Sequence, residues 1–376
     1  MTTTWTVVSH GADDSTPAIA VGHLMAWLDR EPSVTLHTVL WAPGPAGTAP
    51  FDFGRLTDIG SAHHHPAARA LRSVGLGRVG GAIAGRAVRA KVKELPSDGV
   101  LYLSTTRSAA VLRYLAPGNR IVITHLHAFD RESGDVLSPD RIAQLREATD
   151  VWLATDEDTR SWASETLGVD ETDIVLVAEP VDPTSWNRAA RRPDPTTLRL
   201  GLAGAAWFGS DHSGRLVQIL RTRRPELSLE LVWAHQVADP AHLAPLVHDL
   251  DHLGAGPLQM PRSSEEVLAA LDDIDAMAVT TPTDEGPWVV WEAAARGVPV
   301  VCFATHPGVP SVREGVGLVV DYPDVAAMAD AVLAIHDEDT AGDDDAINAR
   351  RAALRRRDVT VIGPKLLELA NRAGAR

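Results

Sequence analysis

"TPTDEGPWVVWEAAARGVPVVCF", residues 281 to 303, runs an acidic turn directly into a short helix and then into a buried strand. Pro287 suits the first turn of a helix, where no amide hydrogen is needed, so "WVVWEAAAR" reads as helical from that point. Gly297 stops the helix, and Pro299 helps to start the strand "VPVVCF" (298–303). The helix follows another strand, "IDAMAVT" (274–280), and its free first-turn amides form a place for an anion such as a pyrophosphate. Asp284 lies just before those amides, and Glu292 lies roughly 7 Å further along the axis at about 1.5 Å per residue. Carboxylates at both ends of an anion site can accept hydrogen bonds from hydroxyl groups of one ligand.

Outward from this stretch, short runs rich in Val, Ile and Leu alternate with helical segments, the pattern of parallel sheets covered by helices on both faces. In the first half the strand candidates are "TWTVVS" (4–9), "VTLHTVL" (34–40), "GVLYLS" (99–104), "RIVITH" (120–125), "DVWLAT" (150–155) and "DIVLVA" (173–178). Helices are expected at "TPAIAVGHLMAWLDRE" (16–31) and "DRIAQLREAT" (140–149). The alternation breaks at "EPVDPTSWNRAARRPDPTT" (179–197), whose four prolines and polar residues mark a linker. It resumes with "LRLGLAG" (198–204), "LSLELVWA" (227–234), "IDAMAVT", "VPVVCF" and "GLVVD" (317–321). The expected fold class is α/β, with two Rossmann-like doubly wound domains whose parallel sheets face a deep cleft. Ligands of such sheets lie at the carboxyl ends of the strands.

Composition fits this frame. A chain of 376 residues suits two domains of ordinary size, and 45% hydrophobic with 23% charged residues is ordinary for a soluble globular protein. No run approaches 18 apolar residues and "MTTTWTVVSHGADD" lacks the regions of a signal peptide, so a cytoplasmic location is expected. The net charge of −15 repels a phosphate backbone and argues against nucleic-acid partners. Cys302, the lone cysteine, falls inside an apolar run and reads as a packed thiol. His63, His64 and His65 have no cysteine or acid close by at ligand spacing, so no metal is expected there.

The segment 281–303 resembles the acidic-X7-Glu motif of retaining GT-B glycosyltransferases, in particular family 4 (the group 1 transferases), which includes sucrose, glycogen and mannosyl transferases. The subgroup motif Asp-x-Phe-Pro-aliphatic-Val-Val-aliphatic-Glu-Ala aligns without gaps on "DEGPWVVWEA", Asp284 to Ala293. The stretch 148–186, "ATDVWLATDEDTRSWASETLGVDETDIVLVAEPVDPTSW", resembles the end of the family's first domain, and 306–332, "HPGVPSVREGVGLVVDYPDVAAMADAV", the region closing its second. The first 120 residues match in pattern only. The resemblance implies domains at 1–183 (acceptor side) and 198–358 (donor side), a hinge at 184–197, and a final helix in 359–376 that crosses back to the first domain.

It also implies roles. Asp284 binds donor-sugar hydroxyls, with Glu285 as a rival; Glu292 binds the ribose; and Gly286, Trp288 and Val289 offer amides to the phosphates. Arg262, in "QMPRSSEEV" (259–267), stands where the family clasps the base. His125 matches the active-site histidine, and His127 and Gly11 are further acceptor-side candidates. One departure is plain. The family places an arginine and a lysine after the first strand of the second domain, whereas "GAAWFGSDHSGRL" (204–216) has Ser213 in the lysine's place. His212, Arg215 and Arg313 are candidate substitutes.

The expected activity is transfer of a sugar from a nucleotide-sugar to a hydroxyl acceptor, a secondary metabolite or a cell-surface glycan, with retention and without a metal or other cofactor. The alternatives are a catalytically silent homologue that partners an active transferase, favoured by the missing cations, and a sugar-nucleotide epimerase on the same fold. Residues 66–93 hold seven basic side chains and no acid, so contact with a phosphorylated acceptor or the inner face of a membrane is also expected.

Overall fold

Strands form where apolar β-branched runs can be buried on both faces, and each such run lies in one of two parallel sheets. The structure, a computed structural model, describes residues 2–9, 16–41, 55–59, 66–73, 76–115, 118–127, 130–131, 137–181, 184, 186, 193–204, 210–234, 240–281, 287–305, 309, 312–340 and 344–375. The chain divides into one unit of Met1–Pro180 with Val359–Arg376 and another of Val181–Asp358. Among the described residues no helix is long and apolar enough to cross a membrane.

In the first unit the strands are β1 (Thr3–Ser9), β2 (Val34–Leu40), β3 (Arg55–Asp58), β4 (Asp98–Leu103), β5 (Asn119–Leu126), β6 (Val151–Ala154) and β7 (Ile174–Leu176). Their order is β3-β2-β1-β4-β5-β6-β7, parallel throughout. Because side chains alternate along a strand, each strand supplies two cores. Val8, Leu101 and Leu103 join the core on one face, while Trp5, Val7, Val100 and Tyr102 join the other. The second face is covered by α1 (Thr16–Leu28), through Val21, Leu24, Met25 and Leu28, and by the chain's last helix, through Ile362, Leu366 and Ala370. A Cβ at Gly363 on that last helix, Val359–Gly374, would lie 2.4 Å from Trp27 Cε3, so only glycine allows this approach.

The second unit holds β8 (Thr197–Ala203), β9 (Ser228–Trp233), β10 (Leu258–Gln259), β11 (Ala276–Val279), β12 (Val300–Phe303) and β13 (Gly317–Val320). Their order is β10-β9-β8-β11-β12-β13, again all parallel. In both sheets the order reverses beside the first strand, where a doubly wound sheet places its ligand crevice. Trp186, inside the stretch read as a linker, is buried with the Arg355 guanidinium 4.9 Å from its ring centroid. Cys302 is fully buried in β12, and burial pushes its thiol up to about 12.

The further helices in chain order are α2 (Pro66–Ser73), α3 (Gly77–Val92), α4 (Pro139–Ala148), α5 (Glu157–Leu167), α6 (Ser210–Arg223), α7 (Ala244–Leu253), α8 (Ser264–Leu271), α9 (Pro287–Ala295), α10 (Val325–Thr340), α11 (Asp344–Ala353) and α12 (Val359–Gly374). Gly297 takes φ +85° just past the end of α9, a left-handed stop that suits glycine.

Candidate functional site

In the second unit α9 starts at Pro287, beyond the carboxyl end of β11, and is buried from Trp288 to Ala295. A helix buried all round is apolar as a rule. Glu292 is the exception, a carboxylate 1% exposed. Arg296, one turn on, donates from Nη1 to Glu292 Oε2 at 2.6 Å and to the Glu292 carbonyl at 3.1 Å. Arg296 Nε donates to Asp272 Oδ1 at 2.9 Å. An unpaired charge at this depth is expensive, and the guanidinium supplies the partner that compensates the Glu292 carboxylate.

The side chains of Trp288 and Val289 are buried, and their backbone N–H groups belong to the first turn of α9, where no carbonyl of the helix itself can accept. Asp284, Glu285 and Gly286 lie outside the described residues, as do Gly11 and the triplet His63, His64 and His65. Ser213, in the lysine's expected place, is fully buried on α6 with its Oγ 2.8 Å from Thr280 Oγ1, just past β11. That hydroxyl pair ties α6 to the end of β11 and brings no positive charge. His212 packs edge-on to Phe303 and Tyr322, with ring centroids 5.6 Å away in each case. Arg215 and Arg313 are exposed. Arg262 is exposed before α8, and its backbone N–H donates to Glu266 Oε2 at 2.7 Å while Ser263 Oγ accepts from Glu266 N at 3.2 Å. Those reciprocal bonds cap α8.

The first unit gathers a second polar cluster past β5 and β7. His125 and His127 are two residues apart and so share one face of the chain, with ring centroids 4.6 Å apart. Their surroundings differ. His125 Nε2 donates to the Val177 carbonyl at 2.9 Å, which leaves Nδ1 to accept from the Tyr102 hydroxyl at 2.5 Å. Burial, then the neighbouring His127, hold the His125 ring well below the ordinary histidine range, against the bond to Val177. Burial, then Glu179, likewise push the Tyr102 phenol upward. His125 is thus a neutral core histidine with both nitrogens engaged.

His127 donates from Nδ1 to Glu179 Oε1 at 2.5 Å, with both side chains buried. Its Nε2 is buried and has no hydrogen-bond partner among the described residues. The loop that carries it is pinned, since the His127 amide donates to Asp130 Oδ2 at 2.9 Å and Thr106 N and Oγ1 both donate to Asp130 Oδ1 at 2.8 Å. Burial raises the Asp130 carboxyl, opposed by His127 and by those bonds.

The partners Arg296, Asp272, Thr280, Tyr102, Asp130 and Glu179 were not among the candidates read from the sequence. Only Arg296 carried a readable signal, its i+4 spacing from Glu292 on a helix. Among the described residues no group of three or more His, Cys, Asp or Glu side chains is placed to hold a metal ion.

Residues 217–338 match the family model described as glycosyl transferases group 1. No curated protein matches. Among solved structures, the chain is similar to Anabaena Alr3699/HepE in complex with UDP and glucose, at 17% identity and a TM-score of 0.68 over 98% of this chain and 100% of that one. A sucrose-phosphate synthase from Thermosynechococcus elongatus aligns at 14% identity and TM-score 0.63, over 99% of each chain. An α,α-trehalose 6-phosphate synthase from Burkholderia multivorans aligns at 17% and 0.62, over 100% of this chain and 98% of that one. At these identities the likeness concerns the fold, which is GT-B.

Proposed function

We propose, starting from a GT-B chain whose second unit carries a group 1 glycosyltransferase domain, that this protein moves a sugar from a nucleotide-sugar to a hydroxyl acceptor with retention of configuration. The observation that carries the reading is Glu292, a buried carboxylate paired with Arg296 inside an otherwise apolar helix at the end of a parallel strand. An ionised carboxylate has acceptor capacity beyond one guanidinium contact, and a ribose diol supplies two donors. The α9 amides of Trp288 and Val289, with Gly286, take the pyrophosphate; Asp284, with Glu285 as its rival, takes the donor sugar; Arg262 faces the base. HepE was solved with UDP and with UDP-glucose, which makes UDP-glucose the first donor to try.

His127, rather than His125, is the histidine suited to the reacting groups, because Tyr102 and Val177 already engage both nitrogens of His125. The acceptor hydroxyl attacks on the face that the leaving phosphate vacates, and that phosphate takes the proton. The helix-start amides stabilise the charge developing on the phosphate, a scheme that calls for no metal. Arg215, Arg313 and the His212 ring are proposed to stand in for the lysine that Ser213 replaces.

A second reading, a catalytically silent partner of an active transferase, is favoured by Ser213 itself, which offers a hydroxyl bonded to Thr280 where a cation belongs. Contact with an anionic surface through 66–93 is supported by α3. Leu76 and Val79 are 51% and 50% exposed at its start, while exposed Arg86, Arg89 and Lys93 continue the solvent side and Ala84, Val88 and Val92 pack inward. Turnover of UDP-glucose by the wild type, lost in Glu292→Gln, tests the transfer. Binding without turnover favours the silent partner.

A further inference from the structure

His125 and His127 share a strand end and a face, yet one is consumed by hydrogen bonds and the other is held by a single carboxylate. Glu179 lies two residues past Val177, so the segment after β7 supplies the carbonyl that engages His125 and the side chain that engages His127. We infer that Glu179 is a positioning residue for the transfer: its carboxylate fixes the His127 ring with Nδ1–H toward itself and Nε2 turned to the reacting sugar or acceptor hydroxyl. This rests on the transfer reading given above.

Three observations carry it. A carboxylate only accepts, so the hydrogen of the His127–Glu179 bond sits on Nδ1, and Nε2 is the ring nitrogen left over for a ligand. Buried polar atoms are paired as a rule; His127 Nε2 is one of the exceptions among the described residues, as are Trp186 Nε1 and both nitrogens of His336, and it is the one that lies beside the Glu179 bond, as an atom whose partner is a ligand would. The backbone beneath the ring is already pinned by Asp130 and Thr106, so the remaining freedom is rotation of the imidazole, which Glu179 removes.

The test uses the full chain labelled with ring-¹⁵N histidine, with the His127 signals assigned by their loss in His127→Asn. In the wild type, Nδ1 should carry a hydrogen held in the bond to Glu179. Glu179→Gln keeps an oxygen that accepts from Nδ1 and should preserve the His127 ring signals, whereas Glu179→Ala should shift both of them. With UDP-glucose as donor, release of UDP by Glu179→Ala should lose about tenfold or more in kcat with KM for UDP-glucose nearly unchanged, and Glu179→Gln should lose less. Unchanged His127 ring signals in a folded Glu179→Ala, or an unchanged kcat, would overturn the inference. If the wild type itself releases no UDP, the transfer reading fails with that donor, and the ring signals alone decide whether Glu179 sets the ring.

Discussion

Arg296 Nη1 lies 2.6 Å from Glu292 Oε2 one helical turn earlier, and both side chains are 2% exposed. Removing one partner of a buried pair leaves the other charge uncompensated, which costs about 3–5 kcal/mol. Arg296→Ala should therefore destabilise the chain by about that much in denaturant unfolding, and the double variant Glu292→Ala/Arg296→Ala should be less damaged than the sum of the singles. Additive losses would mean that the two groups do not act as a pair.

Acid should weaken the fold through its buried histidines. Burial lowers His37, His125 and His336 below their ordinary value of 6.5; at His336 Asp275 and Asp337 oppose the shift. Between the folded and unfolded values the unfolded chain binds more protons, so stability is present above pH 6.5 and is lost as the pH falls below it. Thermal unfolding followed from pH 7.5 to about 5 should show a falling Tm, with a shallower fall in His336→Leu. A Tm that rises on acidification contradicts this sign.

Gly363→Ala should cost about 1–3 kcal/mol by overpacking, because the new Cβ would meet the Trp27 ring. A second change that shrinks the ring, Trp27→Leu, should make the glycine substitution nearly neutral. The comparison is read as a double-mutant cycle of unfolding free energies.

Asp130→Ala removes the acceptor for the His127 amide and for both donors of Thr106. Orphaned buried donors cost about 1–3 kcal/mol. The variant should unfold earlier and transfer sugar more slowly. Asp130→Asn keeps an oxygen acceptor and should lie between it and the wild type.

The central strands were legible because their apolar runs admit no other burial. "VTLHTVL" matches β2 residue for residue, and "GVLYLS", "RIVITH" and "VPVVCF" differ from β4, β5 and β12 only at their ends. The edge strands β3 and β10 were not read. Each is short, and the exposed Arg55, Leu56 and Gln259 give no apolar run to recognise. Glu292 was legible from its motif, and the helix around it from Pro287 and Gly297. The choice between His125 and His127 was not, because it depends on Tyr102, Val177 and Glu179, and the last two stand 52 residues along the chain from the histidines they bond. Ser213 was legible as a departure from the family pattern, but its bond to Thr280 comes from a strand end 67 residues away.

Calorimetric titration of the purified chain with UDP, GDP, ADP, TDP and CMP, without added metal and repeated on Glu292→Gln, tests the central claim most directly. The account predicts saturable binding of one nucleotide by the wild type, weakened about tenfold or more in Glu292→Gln, whose amide keeps the shape of the carboxylate but loses its charge. Absence of binding by every nucleotide, or an affinity that Glu292→Gln leaves unchanged, would contradict the assignment of Glu292 and α9 to the donor.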